Sequence, residues 1–128
     1  WERTGESAVK RRIFVYHTLT VLAALVALLA VSGSVDSLTA DTLTSALGEH
    51  LKAGRSRMVA DFADVNYTSS AGRRSLLIAL KDARRAGGDI RLAAVQPSVH
   101  KVLSLAGFTS IIQIFATRDA ACASFGGA

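Results

Sequence analysis

From Asp36 to its C-terminus the chain switches repeatedly between two hydrophobic periods, and this alternation limits the fold more than any other feature. Leu43, Ala46, Leu47, His50 and Leu51 recur at helical spacing from about Thr39 to Lys52, and Gly54 follows as a stop. Met58-Val59-Ala60-Asp61-Phe62 is a short apolar run suited to a strand, and Val65 to Gly72 reads as a polar turn. Leu76, Leu77, Leu80 and Ala83 form a second helical stripe, closed by Gly87-Gly88. Ile90 to Val95 reads as a strand. Pro97 fits the first turn of a helix whose buried side is Val99, Val102, Leu103 and Ala106, ended by Gly107. Ile111 to Phe115 is a last strand, and Thr117 caps a short helix carrying Ala120, Ala121 and Ala123. Strand–helix units of this length imply right-handed crossovers and a largely parallel sheet. At 128 residues there is room for one core, and no linker or internal repeat interrupts it.

The N-terminal quarter is less regular. Ile13 to Val31 carries no charge and follows Lys10-Arg11-Arg12. A stretch of that length just reaches across a bilayer core of about 30 Å as a helix. Tyr16, His17, Thr18 and Thr20 dilute its first half, however, and Ser32-Gly33-Ser34-Val35-Asp36 closes it like a buried strand reaching its edge. Val31-Ser32-Gly33 is a poor signal-peptidase site. Two adjacent core strands are therefore expected here, with no role assigned to Val21 to Leu25.

Charge is unevenly placed. Residues 1–12 form a basic tail of net +2, residues 73–91 hold net +4, and the rest of the chain sums to −1. The second cluster lies mainly on one expected helix and contains no aromatic residue, unlike a surface that stacks nucleobases. Direct nucleic-acid binding is not expected; a solvated helix face or an acidic partner accounts for it.

Catalytic groups do not converge in the sequence. His17, His50 and His100 fall on separate elements without metal-ligand spacing, and His50 sits on or beside an apolar stripe, as a packed core histidine does. The single cysteine, Cys122, excludes a disulfide framework and a Cys-rich zinc site, and among alanines it reads as a small buried apolar residue. Asp61 falls within a strand and Asp64 in the turn after it, which suits separate structural roles. Neither a G-x-S-x-G elbow nor a phosphate-binding G-x-x-x-x-G-K-[ST] loop occurs, and Gly87-Gly88 follows a helix rather than opening one. No enzyme activity, cofactor or metal is expected.

The informative segment is Asp61-Phe62-Ala63-Asp64-Val65-Asn66-Tyr67-Thr68-Ser69-Ser70-Ala71-Gly72-Arg73, a strand that opens through hydroxyl residues onto a helix. A serine at a helix start has two uses. It can cap the unpaired N–H groups, which suits Ser69 or Ser70. It can also accept a phosphate, which the helix N-terminus and Arg73 or Arg74 would receive.

This segment resembles the signature of the STAS domain of bacterial anti-sigma factor antagonists, in which a strand leads through a D-S-S-G or S-S-A-G turn into a helix. Three further stretches are similar to that family in the right order. They are Val31 to Ala40 with its strand-then-G-x-x-D opening, Ala86 to Leu92 with its Gly-Gly step, and Val102 to Phe108 with its L-x-x-x-G-hydrophobic close. The resemblance covers residues 26–125 and assigns 13–128 to a single α/β domain, with a mixed, mostly parallel sheet of four to five strands flanked by about four helices. It implies that Ser70 is the phospho-acceptor, with Ser69, Ala71, Gly72, Arg73, Arg74 and the loop residues Asp36 and Ser37 at the partner-binding surface. The implied partners are an anti-sigma factor serine kinase and a resetting PP2C-type phosphatase, in the cytoplasm, without membrane or cofactor. A homodimer through the apolar N-terminal region is a further expectation. The alternative is a STAS module of a transporter, lipid-trafficking complex or signalling scaffold with Ser70 unmodified. Ser69 stands where many members have Asp, and Arg73 replaces the usual Leu after the glycine.

Overall fold

The computed structural model describes residues 14–17, by backbone alone, and residues 26–126. The expected basic tail 1–12 and the run Val21 to Leu25 lie outside the described residues. Five strands form one sheet in the order β1-β2-β3-β4-β5: β1 Phe14–His17, β2 Ala27–Val35, β3 Arg57–Thr68, β4 Asp89–Ala93 and β5 Ile114–Phe115. Strand β1 pairs antiparallel with β2 from Phe14 opposite Ser32 to His17 opposite Leu29, and the other pairings are parallel. Helices α1 Ala40–Lys52, α2 Ser70–Arg85 and α3 Pro97–Leu105 connect successive parallel strands. Crossovers of one hand between strands laid down in sequence order put all three helices on one face of the sheet. Helix α4, Arg118–Phe125, covers the other.

The core divides accordingly. Ala27, Leu29 and Val31 of β2 and Met58, Ala60 and Phe62 of β3 meet Leu43 and Leu47 of α1, Leu76 and Leu80 of α2, and Val99 and Leu103 of α3. Val26, Leu28, Val59 and Ala93 pack against Ala121 and Cys122 of α4. Both faces of the first half of β2 are covered, so Ala27 to Val31 is apolar without alternation. The apolar run from Val26 to Val31 is therefore a two-sided strand, and no helix among the described residues is long and apolar enough to cross a membrane. Burial and the carboxylate of Asp119 push the Cys122 thiol above its ordinary value, with Arg118 opposing, so it remains the apolar packing group read from the sequence.

Several boundaries differ from the sequence reading. Val65 to Thr68 is still strand, because β2 runs equally far beside it and pairs Gly33 with Val65 and Val35 with Thr68. Asp64 therefore sits on the strand, and its polarity reflects an exposed side chain rather than a turn. Strand β4 starts one residue earlier, at Asp89, and ends at Ala93. Only Ile114–Phe115 of the last apolar run is strand. Phe108–Ser110 is a 3₁₀ turn, and Ile112 is a buried core residue. On α3 the buried residues are Val99 and Leu103, while Val102 and Ala106 face outward. On α4 Ala121 is buried, but Ala120 and Ala123 are exposed.

Polar groups lock this frame. Thr117 caps α4, its hydroxyl accepting the Ala120 N–H at 3.1 Å. Arg118 then binds the buried Asp61 on β3 through Nε at 2.9 Å and Nη2 at 2.6 Å. His50 is buried, and its Nδ1 accepts Arg55 Nε at 2.8 Å, as befits a core histidine. Gly48, inside α1, has open space where a Cβ would sit. Gly48→Ala is therefore expected to raise stability by about 0.5–1 kcal/mol through helix propensity alone, readable from the urea midpoint. A loss of stability would mean that the space is not open in solution.

Candidate functional site

The carboxyl ends of β2 and β3 lie side by side, and the loops that leave them form one surface. Val35 pairs with Thr68 as the last residues of their strands, and the Val35 carbonyl accepts the Ser69 N–H at 2.9 Å. The Asp36 loop and the start of α2 are thus joined by backbone. Loops at this end of a parallel sheet are where α/β domains usually place their working groups.

The Asp36 loop is built by its own side chains. Asp36 Oδ1 accepts the N–H groups of Leu38 at 2.9 Å and Thr39 at 3.2 Å. The Thr39 hydroxyl donates to the Ser34 carbonyl at 2.5 Å and accepts the Asp36 N–H at 2.9 Å. Asp36 therefore shapes the loop from a partly buried position and leaves Ser37 and Leu38 exposed at its tip.

At the second loop the connection is a single residue. Ser69 has extended backbone, and its Oγ accepts the Gly72 N–H at 3.1 Å, so Ser69 caps α2. Ser70 is the first helical residue and is exposed. Its hydroxyl accepts Arg73 Nη2 at 3.2 Å, while Arg73 Nη1 reaches the Thr68 carbonyl at 3.4 Å. The two serine roles left open by the sequence are thereby divided: Ser69 caps, and Ser70 presents its oxygen to solvent. Gly72 is buried against β2. A Cβ there would overlap the Val35 carbonyl oxygen and lie 2.9 Å from both its carbon and Val35 Cγ1. Arg74 points outward and Ala71 is half-buried.

The basic cluster read from the sequence is partly consumed by the fold. Arg84 on α2 and Arg91 on β4 both bind Asp89, and Arg85 pairs with Asp82. Arg74 and Lys81 have no hydrogen-bond or ion-pair partner among the described residues.

Two large exposed side chains at this surface escaped the sequence reading. Leu38 is 66% exposed beside Asp36, and Tyr67, opposite Ser34 in the β2–β3 register, is 54% exposed. Tyr67 was legible as part of the Ser70 segment, but reading that segment as a turn gave its ring no direction. The strand pairing supplies one.

Comparison with known proteins gives a consistent result. A family model described as the STAS domain matches residues 19–121. BtrV of Bordetella bronchiseptica, assigned by name as an anti-sigma factor antagonist, is 36% identical over 93 residues, covering 73% of this chain and 80% of that protein. The crystal structure of an anti-sigma factor antagonist from Mycobacterium paratuberculosis superposes with a TM-score of 0.77 at 22% identity, covering 88% of this chain and 93% of that one. SpoIIAA in its unphosphorylated form superposes with a TM-score of 0.69 at 14% identity, covering 90% and 100%. The phosphorylated form of the Bacillus SpoIIAA gives 0.66 at 14%, covering 87% and 98%. At these identities the solved structures speak for the fold alone.

Proposed function

The chain belongs to the STAS domain family, and we propose that within it this protein acts as an anti-sigma factor antagonist switched by phosphorylation of Ser70. The relation to BtrV supports the antagonist role. The observation that carries the switch is the division of labour at the start of α2. Ser69 already supplies the cap, which leaves the Ser70 hydroxyl exposed and bonded to the Arg73 side chain rather than to the backbone.

In this reading the unmodified surface around Ser70 docks on an anti-sigma factor that is also a kinase, and the sigma factor is released. The kinase moves the terminal phosphoryl group of ATP to Ser70 Oγ. An Oγ–P bond forms, the bridging O–P bond breaks, ADP leaves and the hydroxyl proton passes to a base of the kinase. The product carries about −1.5 to −2 charge within the interface, where desolvation and repulsion end the complex. A PP2C-type phosphatase hydrolyses the phosphoserine and restores the docking form. Arg73, already on the Ser70 oxygen, is placed to hold the phosphate in cis. Ser70 and Arg73 lie three residues apart on one helix face, as such a contact requires.

The test is phosphate transfer from ATP by the cognate anti-sigma factor kinase, read by intact-mass spectrometry. Wild type is expected to gain one phosphate, Ser69→Ala to gain it on a less stable fold, and Ser70→Ala to gain none. Equal incorporation by wild type and Ser70→Ala would remove Ser70 from the mechanism.

A further inference from the structure

Helix α2 buries Gly72, Leu76, Ala79, Leu80 and Ala83 along one stripe. At 3.6 residues per turn, the residues diametrically opposite are Ser70, Arg74, Ile78, Lys81 and Arg85. Four of these belong on a solvated face. Ile78 does not: it stands 52% exposed in the middle, as far from the core as the helix allows. Arg74 and Lys81 on either side of it have no partner among the described residues. Arg85 meets Asp82 at 3.1 Å, but both side chains are largely exposed and such a pair binds weakly. Ser70 is the N-terminal member of this face, and exposed Leu38 and Tyr67 stand on the two segments whose ends the Val35–Thr68 pairing brings together just before α2.

We propose that the outer face of α2, continuing from Leu38, Tyr67 and Ser70 through Arg74 and Ile78 to Lys81, is the docking surface for an acidic face of a protein partner, with Ile78 as its central apolar contact. The proposal rests on the reading of Ser70 given above and extends it to the partner's chemistry. An apolar centre within a charged rim is the anatomy of a protein interface. Helix α2 carries five basic residues and one acidic residue, so the complementary surface is negative. A second copy of this chain would bring the same basic face, and α2 offers no aromatic ring to stack on nucleobases. The charge also explains why a phosphate here is an effective release signal. It places negative charge on the one surface that otherwise draws an acidic partner in.

The experiment titrates the kinase that phosphorylates Ser70, purified, with the full chain and three variants at two salt concentrations, with thermal melts as fold controls. Ile78→Asp is expected to weaken binding by at least about tenfold while melting like wild type. Lys81→Glu is expected to weaken it in the same direction and to flatten its salt dependence. Lys101→Glu makes the same charge change on α3 and is expected to stay within about twofold of wild type. Wild-type affinity in both Ile78→Asp and Lys81→Glu, or an equal loss in Lys101→Glu, overturns the docking face and leaves the Ser70 reading standing. Failure of wild type to form any complex overturns the Ser70 reading itself. Wild-type binding to a DNA duplex or to anionic vesicles that Lys81→Glu abolishes overturns the assignment to a protein partner.

Discussion

Asp89→Ala is expected to cost about 3 kcal/mol of unfolding free energy, because it removes a buried carboxylate that two arginines share. Asp89 is buried as the first residue of β4. Its Oδ1 accepts Arg84 Nε at 3.0 Å and the Ile90 N–H at 2.9 Å, and its Oδ2 accepts Arg91 Nε at 3.1 Å. Arg84 continues to the Ile111 carbonyl at 2.5 Å. Arg91 continues to Ser124 Oγ at 2.7 Å and lies 3.8 Å from the Phe125 ring centroid. One carboxylate therefore joins the end of α2, the start of β4, the turn before β5 and helix α4. Without it Arg91, whose side chain is only 16% exposed, is left with the Ser124 hydroxyl and the Phe125 ring to meet its charge. The pair Arg85–Asp82 is the internal comparison: both partners are largely exposed, and Asp82→Ala is expected to change stability by less than about 1 kcal/mol. Urea unfolding of the two variants side by side decides the matter, and similar losses in both would mean that the Asp89 network holds the fold no better than an exposed pair.

The second large effect falls on Gly72. In an open helix position Gly→Ala gains about 1 kcal/mol, as expected for Gly48. At Gly72 the new methyl group would run into the Val35 carbonyl, which is itself held by the Ser69 N–H. Neither backbone can yield without breaking the cap or the end of the β2–β3 ladder. Overpacking of this kind costs about 1–3 kcal/mol and outweighs the propensity gain, so Gly72→Ala is expected to lose at least about 1 kcal/mol net. Since the strain sits beneath Ser70, the same variant is expected to dock and accept phosphate poorly even where it remains folded. A stability equal to or above wild type, measured by urea unfolding, would show that α2 can lift from β2 at no cost.

Much of the fold is legible in the sequence. The helical stripes of α1 and α2, the glycines that follow them, Pro97 at the start of α3 and Thr117 as a cap are local signals, and local physics obeys them. The step from strand to helix at Ser69 and Ser70 was equally legible, although the helix starts at Ser70 and leaves no turn. What failed did so where a partner element decides. Val65 to Thr68 is polar enough for a loop, yet it is strand because β2 lies beside it to supply the ladder. Val102 and Val99 are alike in sequence, but the line along which α3 rests on the sheet buries one and exposes the other. Ile111 to Phe115 is uniformly apolar, yet only two residues pair with β4, and Ile112 serves the core from outside the strand.

By itself, then, the sequence determined the order of elements from Asp36 onward, the mostly parallel α/β architecture and a strand that opens through hydroxyl residues onto a helix. Each follows from periodicity and punctuation within a few turns of chain. The tertiary structure alone decided which serine caps and which is presented, that Gly72 exists to let α2 touch β2, and that Arg84 and Arg91 are spent on Asp89 while Arg74 and Lys81 face outward with Ile78 between them. Those distinctions depend on groups brought together from distant parts of the chain, and hydrogen-bond geometry and burial exist only once the sheet has assembled them.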